Sequence, residues 1–159
     1  MKNSELRKLD SLEFIAYDST NGAKERMIAF KKLSWLTIYR EYELGIKYSE
    51  GYLSLAKETS DTLNIIKSLH YKGYVLLMLG DFEKADSIYQ SGLKYSSIIS
   101  NYRWMAEFYG DLGNLANAKG QTREAFEYHN LCLEIGKRHN INKLIARAKL
   151  NLAELCNTK

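Results

Sequence analysis

The fold is decided by two stretches of sequence that lie forty residues apart. The first is GYVLLMLGDFEKADSIYQSGL, residues 73–93, and the second is GNLANAKGQTREAFEYHNLCL, residues 113–133. Matched positions carry the same small or apolar residue: Gly73 and Gly113, Gly80 and Gly120, Ala85 and Ala125, and Leu93 and Leu133. A chain that matches itself at an interval of this size is typical of proteins built from stacked helical repeats.

The signals for helix ends keep the same period. Short polar residues recur every forty positions at Thr20, Ser60, Ser100 and Asn140, and the first three are followed by Asn21, Asp61 and Asn101. Side-chain oxygens of these residue types accept hydrogen bonds from the first N–H groups of a helix, so we expect helices to begin here.

A second break lies inside each repeat. Leu79-Gly80-Asp81 and Lys119-Gly120-Gln121 place a glycine after one helical stretch and a polar residue before the next, and Arg40 holds the matching position one repeat earlier. Glycine readily adopts the left-handed conformation that ends a helix, and the carboxylate of Asp81 is suited to capping the helix that follows.

Together these breaks predict eight helices, over residues 4–19, 23–39, 41–58, 62–79, 82–98, 102–119, 122–138 and 142–156. They group into three full repeats, 21–60, 61–100 and 101–140, with half repeats at 1–20 and 141–159. One helix pair is too small to bury its own apolar side, so neighbouring pairs must stack. We therefore expect one all-α domain, residues 1–159, built as an α-solenoid of antiparallel helix pairs.

The composition, and the lack of a recognisable signal peptide or membrane span in the sequence, lead us to expect a soluble protein. The chain has 159 residues, 45% hydrophobic and 26% charged, and no proline that would interrupt helices. Cys132 and Cys156 form no CxxC pattern, which argues against a zinc site or a disulfide framework and suits a reducing cytoplasm. The polar first ten residues lack a signal peptide's apolar core, and the longest apolar run, Val75–Leu79, is too short to span a bilayer. We expect a cytoplasmic protein.

The residue pattern resembles the tetratricopeptide (TPR) family. One repeat carries Gly73, Leu76, Gly80, Ala85, Tyr89, Gly92 and Leu93, and the next carries Gly113, Ala116, Gly120, Ala125, His129, Cys132 and Leu133. The first repeat departs from the pattern, with Leu33 and Gly45 in place of Gly and Ala. The usual TPR unit has about 34 residues, so this chain is similar to the longer repeats of bacterial sensors and regulators and of polarity adaptors. The resemblance implies a right-handed α-solenoid.

The resemblance also implies a concave groove lined by the first helix of each repeat. The residues carried over to that groove are Phe30, Ser34, Lys67, His70, Tyr71, Tyr74, Glu107, Asp111, Asn114, Asn117 and Arg147. One end would be aromatic and apolar, and the other would be polar and acidic, which suits an amphipathic helix or an extended segment of a partner. The alternative is that several of these helical stripes belong to the core.

Two acidic residues argue against one variety of TPR groove. That variety grips a C-terminal carboxylate with basic residues, whereas this chain has Glu107 and Asp111 at the corresponding positions. Like charges repel, so binding of a chain-terminal carboxylate is disfavoured.

The sequence offers little for catalysis. The three histidines are scattered, and no His pair with an intervening glutamate, no GxSxG, no P-loop and no GxGxxG is present. Glu107 and Asp111 lie four residues apart, but solvated acidic helix faces are common. We therefore predict no catalytic residue, no metal, no cofactor and no enzymatic activity.

The predicted function is a protein- or peptide-binding scaffold or adaptor, with a regulatory role. Two alternatives remain open. The net charge of +4 and a pI near 8.9 permit nucleic-acid binding, although the predicted groove mixes Lys67 with two acidic residues. The half repeats at both ends also permit self-assembly through the end helices, as in a fragment of a longer array.

Overall fold

A computed structural model describes residues 3–39 and 41–157, with side chains described from Arg7 onward. This part of the chain is helical and contains no strand. Its helices are α1 (Asn3–Tyr17), α2 (Ala23–Thr37), α3 (Tyr42–Glu58), α4 (Thr62–Met78), α5 (Phe82–Ile98), α6 (Tyr102–Ala118), α7 (Thr122–Arg138) and α8 (Asn142–Asn157). The predicted all-α fold is confirmed, and every predicted helix end lies within two residues of the observed one. Arg40, the predicted break of the first repeat, lies outside the described residues.

The helices keep the period of the sequence. Helices α3, α5 and α7 begin at residues 42, 82 and 122, and α4, α6 and α8 begin at 62, 102 and 142. Because the links between successive helices are so short, each helix runs antiparallel to the one before it within a compact unit.

The chain divides into two compact units, residues 1–80 and 81–159. In the N-terminal unit α1 packs on α2, α2 on α3 and α3 on α4, and α2 also touches α4. In the C-terminal unit α5 packs on α6, α6 on α7 and α7 on α8, and α6 also touches α8. Contact between a helix and the next helix but one is the packing of a helical repeat. A single domain over residues 1–159 stays a prediction.

Large aromatic side chains fill the N-terminal unit. Tyr48 and Tyr52 of α3 are almost completely buried, as are Phe30 and Leu33 of α2. The Phe30 ring meets Tyr17 of α1 edge to face, with ring centroids 5.1 Å apart. Phe30 therefore ties α1 and α2 to the core rather than facing a groove.

Small residues bring the helices of the C-terminal unit together. Ala106 of α6, Cys132 of α7 and Ala148 of α8 belong to one buried cluster. A Cβ atom on Gly113 of α6 would lie 2.5 Å from Cε1 of His129. The absence of a side chain at Gly113 therefore lets the imidazole ring of α7 pack directly against α6, as expected for a small residue at this position.

Of the residues predicted to cap α4, α6 and α8, two do so and three do not. Asp61 caps α4 by accepting a hydrogen bond from the backbone N–H of Asn64, and Asn101 caps α6 in the same way. Ser60, Ser100 and Asn140 are not caps. Their φ angles are 53°, 50° and 56°, so they are the left-handed residues that end α3, α5 and α7.

The first helix start also differs from the prediction. The residue that precedes α2 is Gly22, which has no side chain to act as a cap. Thr20 instead donates its hydroxyl to Asp18, and Asn21 donates to the carbonyl of Ile15. Both side chains hold the link to α1. At the inner breaks the prediction is confirmed, since Gly80 and Gly120 have φ angles of 77° and 73° and Asp81 caps α5.

Candidate functional site

One side of the N-terminal unit carries two parallel rows of exposed and half-buried side chains, which we call the α2–α4 face. Each row advances by three or four residues, the spacing that keeps side chains on one side of a helix. The α2 row is Ile28, Lys31 and Trp35, continued by Tyr39 in the turn after the helix, and the α4 row is Lys67, Tyr71, Tyr74 and Met78.

Aromatic rings join the two rows. Trp35 and Tyr39 meet edge to face with centroids 5.8 Å apart, and Tyr39 meets Tyr74 of α4 at 5.4 Å. Trp35 and Tyr39 are nevertheless 55% and 56% exposed. Burial, and secondarily the nearby Tyr39 hydroxyl, raises the pKa of Tyr71. The rings therefore form a contiguous, largely apolar surface.

The residues predicted on α4 lie at this face or beside it. Lys67, Tyr71 and Tyr74 are half-buried members of the α4 row, and His70 is half-buried with its ring 5.9 Å from that of Tyr71. Their position agrees with the expected surface, and their role in binding stays a prediction.

The residues predicted on α2 lie in the interior instead. Phe30 and Ser34 are 3% and 1% exposed, and the Ser34 hydroxyl donates to the carbonyl of Phe30. A partner has no access to either side chain. The residues that sequence reasoning missed are Trp35, which directly follows Ser34, and Tyr39.

The reason for this miss is that large apolar residues occur on the exposed side of α2 as well as on its buried side. Exposed Ile28 and Trp35 alternate with buried Phe30 and Leu33, so hydrophobicity does not mark the core side. The available signal was charge. Lys31 follows Ile28 and precedes Trp35 by helical spacing, and a lysine seldom points into a core.

A pocket of about 310 Å³ opens beside the α2–α4 face, and we call it the lysine pocket. Its walls are Lys24, Met27, Ile28, Lys31, Tyr52, Asp61 and Asn64. Lys67 lies one helical turn from Asn64. Burial, and secondarily the positive charge of Lys31, lowers the pKa of Lys67, while Asp61 acts in the opposite sense.

The carboxylate of Asp61 is already engaged. It accepts hydrogen bonds from the backbone N–H of Asn64 at 3.0 Å and from Nδ2 of Asn64 at 2.7 Å. The carboxylate also interacts favourably with the positive end of the α4 dipole. The lysine pocket therefore has an excess of positive charge over negative charge.

Arg147 organises the polar residues of the C-terminal unit. Its Nη1 lies 2.7 Å from Oε2 of Glu107 and 3.9 Å from Oδ1 of Asp111, and its Nη2 donates to the Glu107 carbonyl at 3.2 Å. A Cβ on Gly110 would lie 2.4 Å from Nη2, so the guanidinium rests against a bare stretch of α6. Glu107 and Asp111, predicted to line a groove, are 8% and 6% exposed and are bound internally by α8.

Two asparagines extend this network toward His129. Nδ2 of Asn151 donates to Oδ1 of Asn114 at 3.0 Å and lies 3.4 Å from Nδ1 of His129. Burial, and secondarily the charge of Arg147, lowers the pKa of His129 to about 4, against a smaller opposite effect of Asp111. Asn114 and Asn117 both remain exposed on α6. The charged groups of this network face one another across α6 and α8, where Arg147 pairs closely with Glu107 and more distantly with Asp111.

The buried Cys132 thiol of the C-terminal unit is not activated for chemistry. Burial raises the pKa of Cys132, so its thiol stays protonated near neutral pH despite the nearby Arg147. Across the described residues, no group of three or more His, Cys, Asp or Glu side chains is arranged to hold a metal ion. Within the same part of the chain, every helix is too short or too polar to cross a membrane.

The packing defines a class of protein, the all-α helical-repeat proteins. No family model matches the chain, and no curated protein matches it. Among solved structures, the chain is similar to the apo form of RapI, a TPR-like helical repeat protein, with a TM-score of 0.70 and 17% sequence identity. The match covers 84% of this chain and 50% of RapI, so the chain spans about half the length of that neighbour. At this identity the likeness shows the fold alone.

Proposed function

We propose that the chain is a TPR-type protein-interaction module whose α2–α4 face binds an amphipathic helix of another protein. The observation that carries this proposal is the run of exposed rings from Trp35 through Tyr39 to Tyr74. Aromatic side chains lose little conformational entropy on binding and are the usual anchors of protein interfaces. Contiguous exposed apolar surface of this kind is uncommon on a protein that has no partner.

The arrangement of the rings favours a helical partner. Trp35 and Tyr39 are four residues apart, and Tyr71 and Tyr74 are three apart, so both rows repeat once per helical turn. An amphipathic helix laid between the rows presents apolar side chains at the same interval. Met78, 42% exposed at the end of the α4 row, adds an adaptable apolar contact.

The C-terminal unit is less suited to the same task. Glu107 and Asp111 are nearly buried and engaged by Arg147, and a partner would have to break that network to use them. The helical-repeat fold shared with RapI is compatible with a binding scaffold that has a regulatory role.

A peptide selection tests the proposal. A display library of random sixteen-residue peptides is selected on the intact protein, and the binders are titrated by fluorescence anisotropy. The probes are then measured against Trp35→Ala and Tyr74→Ala. Phe126→Ala is the matched control, because Phe126 is a 45% exposed aromatic residue of α7 in the other unit.

We expect selected peptides to carry apolar residues at helical spacing. Each α2–α4 variant should weaken them at least about tenfold, the usual cost of removing an aromatic anchor, while Phe126→Ala leaves affinity unchanged. Circular dichroism establishes that all variants are equally helical. Failure to select any binder, or binders insensitive to both variants, would contradict the proposal. Retention of nucleic acid that moderate salt releases would favour the nucleic-acid alternative.

A further inference from the structure

We infer that the partner helix carries an acidic side chain about one turn from its apolar anchors, and that this carboxylate binds at the lysine pocket, between Lys31 on its wall and Lys67 beside it. The inference rests on the proposed function, since it names the chemistry of the partner that the α2–α4 face would bind. It adds a charge requirement that the aromatic surface alone does not contain.

The pocket and the aromatic surface are continuous. Ile28 and Lys31 belong to the α2 row and also line the lysine pocket. Lys31 precedes Trp35 by four residues, which is one turn or ~6 Å along the helix axis. A partner helix anchored on Trp35 and Tyr74 therefore has its next turn over the pocket.

The lysines at the pocket form no direct ion pair. Among the described residues, Lys24 and Lys31 of the pocket wall and the neighbouring Lys67 have no carboxylate within ion-pair distance, whereas Lys72 on another side of α4 pairs with Glu50 at 2.8 Å. The acidic residue of the pocket, Asp61, uses both carboxylate oxygens to bind Asn64 at the start of α4. Three positive side chains against one engaged carboxylate attract a further anionic group.

The neutral groups of the pocket are already paired with one another. The Tyr52 hydroxyl donates to Oδ1 of Asn64 at 2.5 Å, and Nδ2 of Asn64 donates to Oδ2 of Asp61 at 2.7 Å. A ligand therefore meets lysine ammonium groups as donors, with Met27 and Ile28 as apolar walls. That combination fits the carboxylate and methylene stem of Glu or Asp.

The burial of Lys67 strengthens the argument. Its pKa is lowered by burial first and by Lys31 second, which means that its positive charge is held at a cost in the unbound protein. A bound carboxylate would remove that cost, so binding should raise the pKa of Lys67.

The test uses synthetic peptides with defined chemistry. Each is a sixteen-residue amphipathic helix with leucines at helical spacing, and each has an acetylated N-terminus and an amidated C-terminus. Three versions carry Glu, Gln or Lys at the position one turn from the first leucine. A fourth version carries Gln there and has an unblocked C-terminal carboxylate, which separates a side-chain source of charge from a chain end.

The variants separate the pocket from the general charge of the protein. Lys31→Glu reverses one charge of the pocket, and Lys67→Gln removes the positive charge beside it. Lys32→Glu is the matched control, because Lys32 is the next residue of α2, is exposed, and lies outside the pocket. Circular dichroism and melting curves establish that the three variants fold alike.

We expect the Glu peptide to bind about fivefold more tightly than the Gln peptide and more tightly still than the Lys peptide, as for a partly desolvated ion pair. Lys31→Glu and Lys67→Gln should abolish the preference, while Lys32→Glu preserves it. The Lys peptide should regain affinity on Lys31→Glu. The preference should also shrink as salt is raised.

Three failures are distinguishable. If all four peptides bind equally and remain sensitive to Trp35→Ala, the lysine pocket takes no carboxylate and the inference is wrong, while the proposed function stands. If preference appears only for the peptide with the unblocked C-terminus, the side-chain source is wrong. If no peptide binds at all, the proposed function fails and the inference fails with it.

Discussion

His129 is a histidine whose surroundings hold it neutral. It is 1% exposed, and burial, with the charge of Arg147, lowers its pKa from 6.5 to about 4. The folded state therefore binds fewer protons than the unfolded state between these two values. The resulting stability is complete above the unfolded pKa and is lost as the pH falls toward 4.

We predict a loss of about 3 kcal/mol in the free energy of unfolding from this residue between about pH 7.5 and pH 4. Urea unfolding across that range measures the total loss, to which carboxylates also contribute. The variant His129→Gln isolates the histidine, because its curve should fall less steeply by the same amount. Parallel curves for the two proteins would mean that the ring titrates normally in the folded state.

Gly113 is the second residue with a specific packing role. A Cβ there would lie 2.5 Å from Cε1 and 2.6 Å from Nδ1 of the His129 ring, and the buried ring has little room to move. We predict that Gly113→Ala lowers the free energy of unfolding by about 2 kcal/mol, since overpacking outweighs the better helix propensity of alanine. Denaturant titration measures the change.

The matched control for Gly113→Ala is Asn117→Ala, one turn further along α6 on an exposed position, which should be nearly neutral. In a His129→Ala background the cost of Gly113→Ala should largely vanish, because the two side chains would no longer compete for space. An equal cost in both backgrounds would show that the ring is not the obstacle.

At the scale of single residues, the sequence predicted helix caps and close-packing glycines better than it predicted which way a side chain points. It found Asp61 and Asn101 as caps from residue type, and it found Gly113 from the repeat. It turned Phe30 toward a groove and left out Trp35, because α2 has large apolar residues on its exposed side too, and one residue of helix rotates a side chain by about 100°. The packing of α2 against both α1 and α3 fixes which ring is inside.

Among the elements, α8 is held on α6 by charge as well as by apolar contact. Arg147 reaches both Glu107 and Asp111, which are nearly buried. Removing the guanidinium leaves two carboxylates without their cation. We predict that Arg147→Met lowers the free energy of unfolding by about 3 kcal/mol, the usual cost of breaking a buried pair on one side.

Arg138→Met is the matched control for Arg147→Met. Arg138 pairs with Glu134 at 2.8 Å, but both side chains are more than 60% exposed. An exposed pair of this kind contributes about 0.5 kcal/mol or less. Thermal melts of Arg147→Met, of Arg147→Met combined with Glu107→Gln, and of Arg138→Met measure the difference in stability between these variants. Similar costs for Arg147→Met and Arg138→Met would contradict an internal network.

Helix α7 lacks the side-chain N-cap that α5 and α6 possess. Asp81 and Asn101 cap α5 and α6, whereas Gln121 precedes α7 and its side chain makes no capping hydrogen bond. We predict that Gln121→Asp raises the free energy of unfolding by about 1 kcal/mol through a cap and the α7 dipole. Gln121→Ala, which adds no acceptor, should change little in the same melting experiment, and an equal gain there would exclude capping as the cause.

The elements were the part of the fold that the sequence predicted best. Helices α5 and α7 have the predicted ends, because Gly80 and Gly120 mark the breaks before them unambiguously. The boundary between α2 and α3 was harder, since no glycine stands there. Ser60 and Ser100 were misread as caps because short polar residues serve both at helix starts and in the left-handed turn that precedes them.

In the molecule as a whole, the sequence predicted the repeat period but not which side chains each helix exposes to a partner. The forty-residue interval predicts helix pairs, but two helices of equal sequence pattern can present different chemistry. Glu107 and Asp111 looked like groove residues because the residue that pairs with both, Arg147, lies far along the chain, forty residues beyond Glu107. Such pairing depends on tertiary contact and leaves no local signal.

Self-association through the end helices stays a prediction at this scale. Phe14 on α1 and Leu150 on α8 are 70% and 60% exposed, and either side chain would be covered if chains stacked end to end. Sedimentation velocity over a hundredfold range of concentration tests this expectation. A monomer at every concentration for both the native chain and Phe14→Ser would rule out stacking through α1.

The central claim is that a partner helix covers the α2–α4 face, and Trp35 reports on it directly. The chain has two tryptophans, so Trp104→Phe leaves Trp35 as the single emitter. We would titrate this variant with a selected peptide that lacks tryptophan and follow emission and acrylamide quenching, with binding measured in parallel by anisotropy. The account predicts a blue shift and reduced quenching that saturate with binding, because the half-exposed ring becomes buried. Full binding with unchanged emission and quenching would contradict it, since the partner would then lie elsewhere on the molecule.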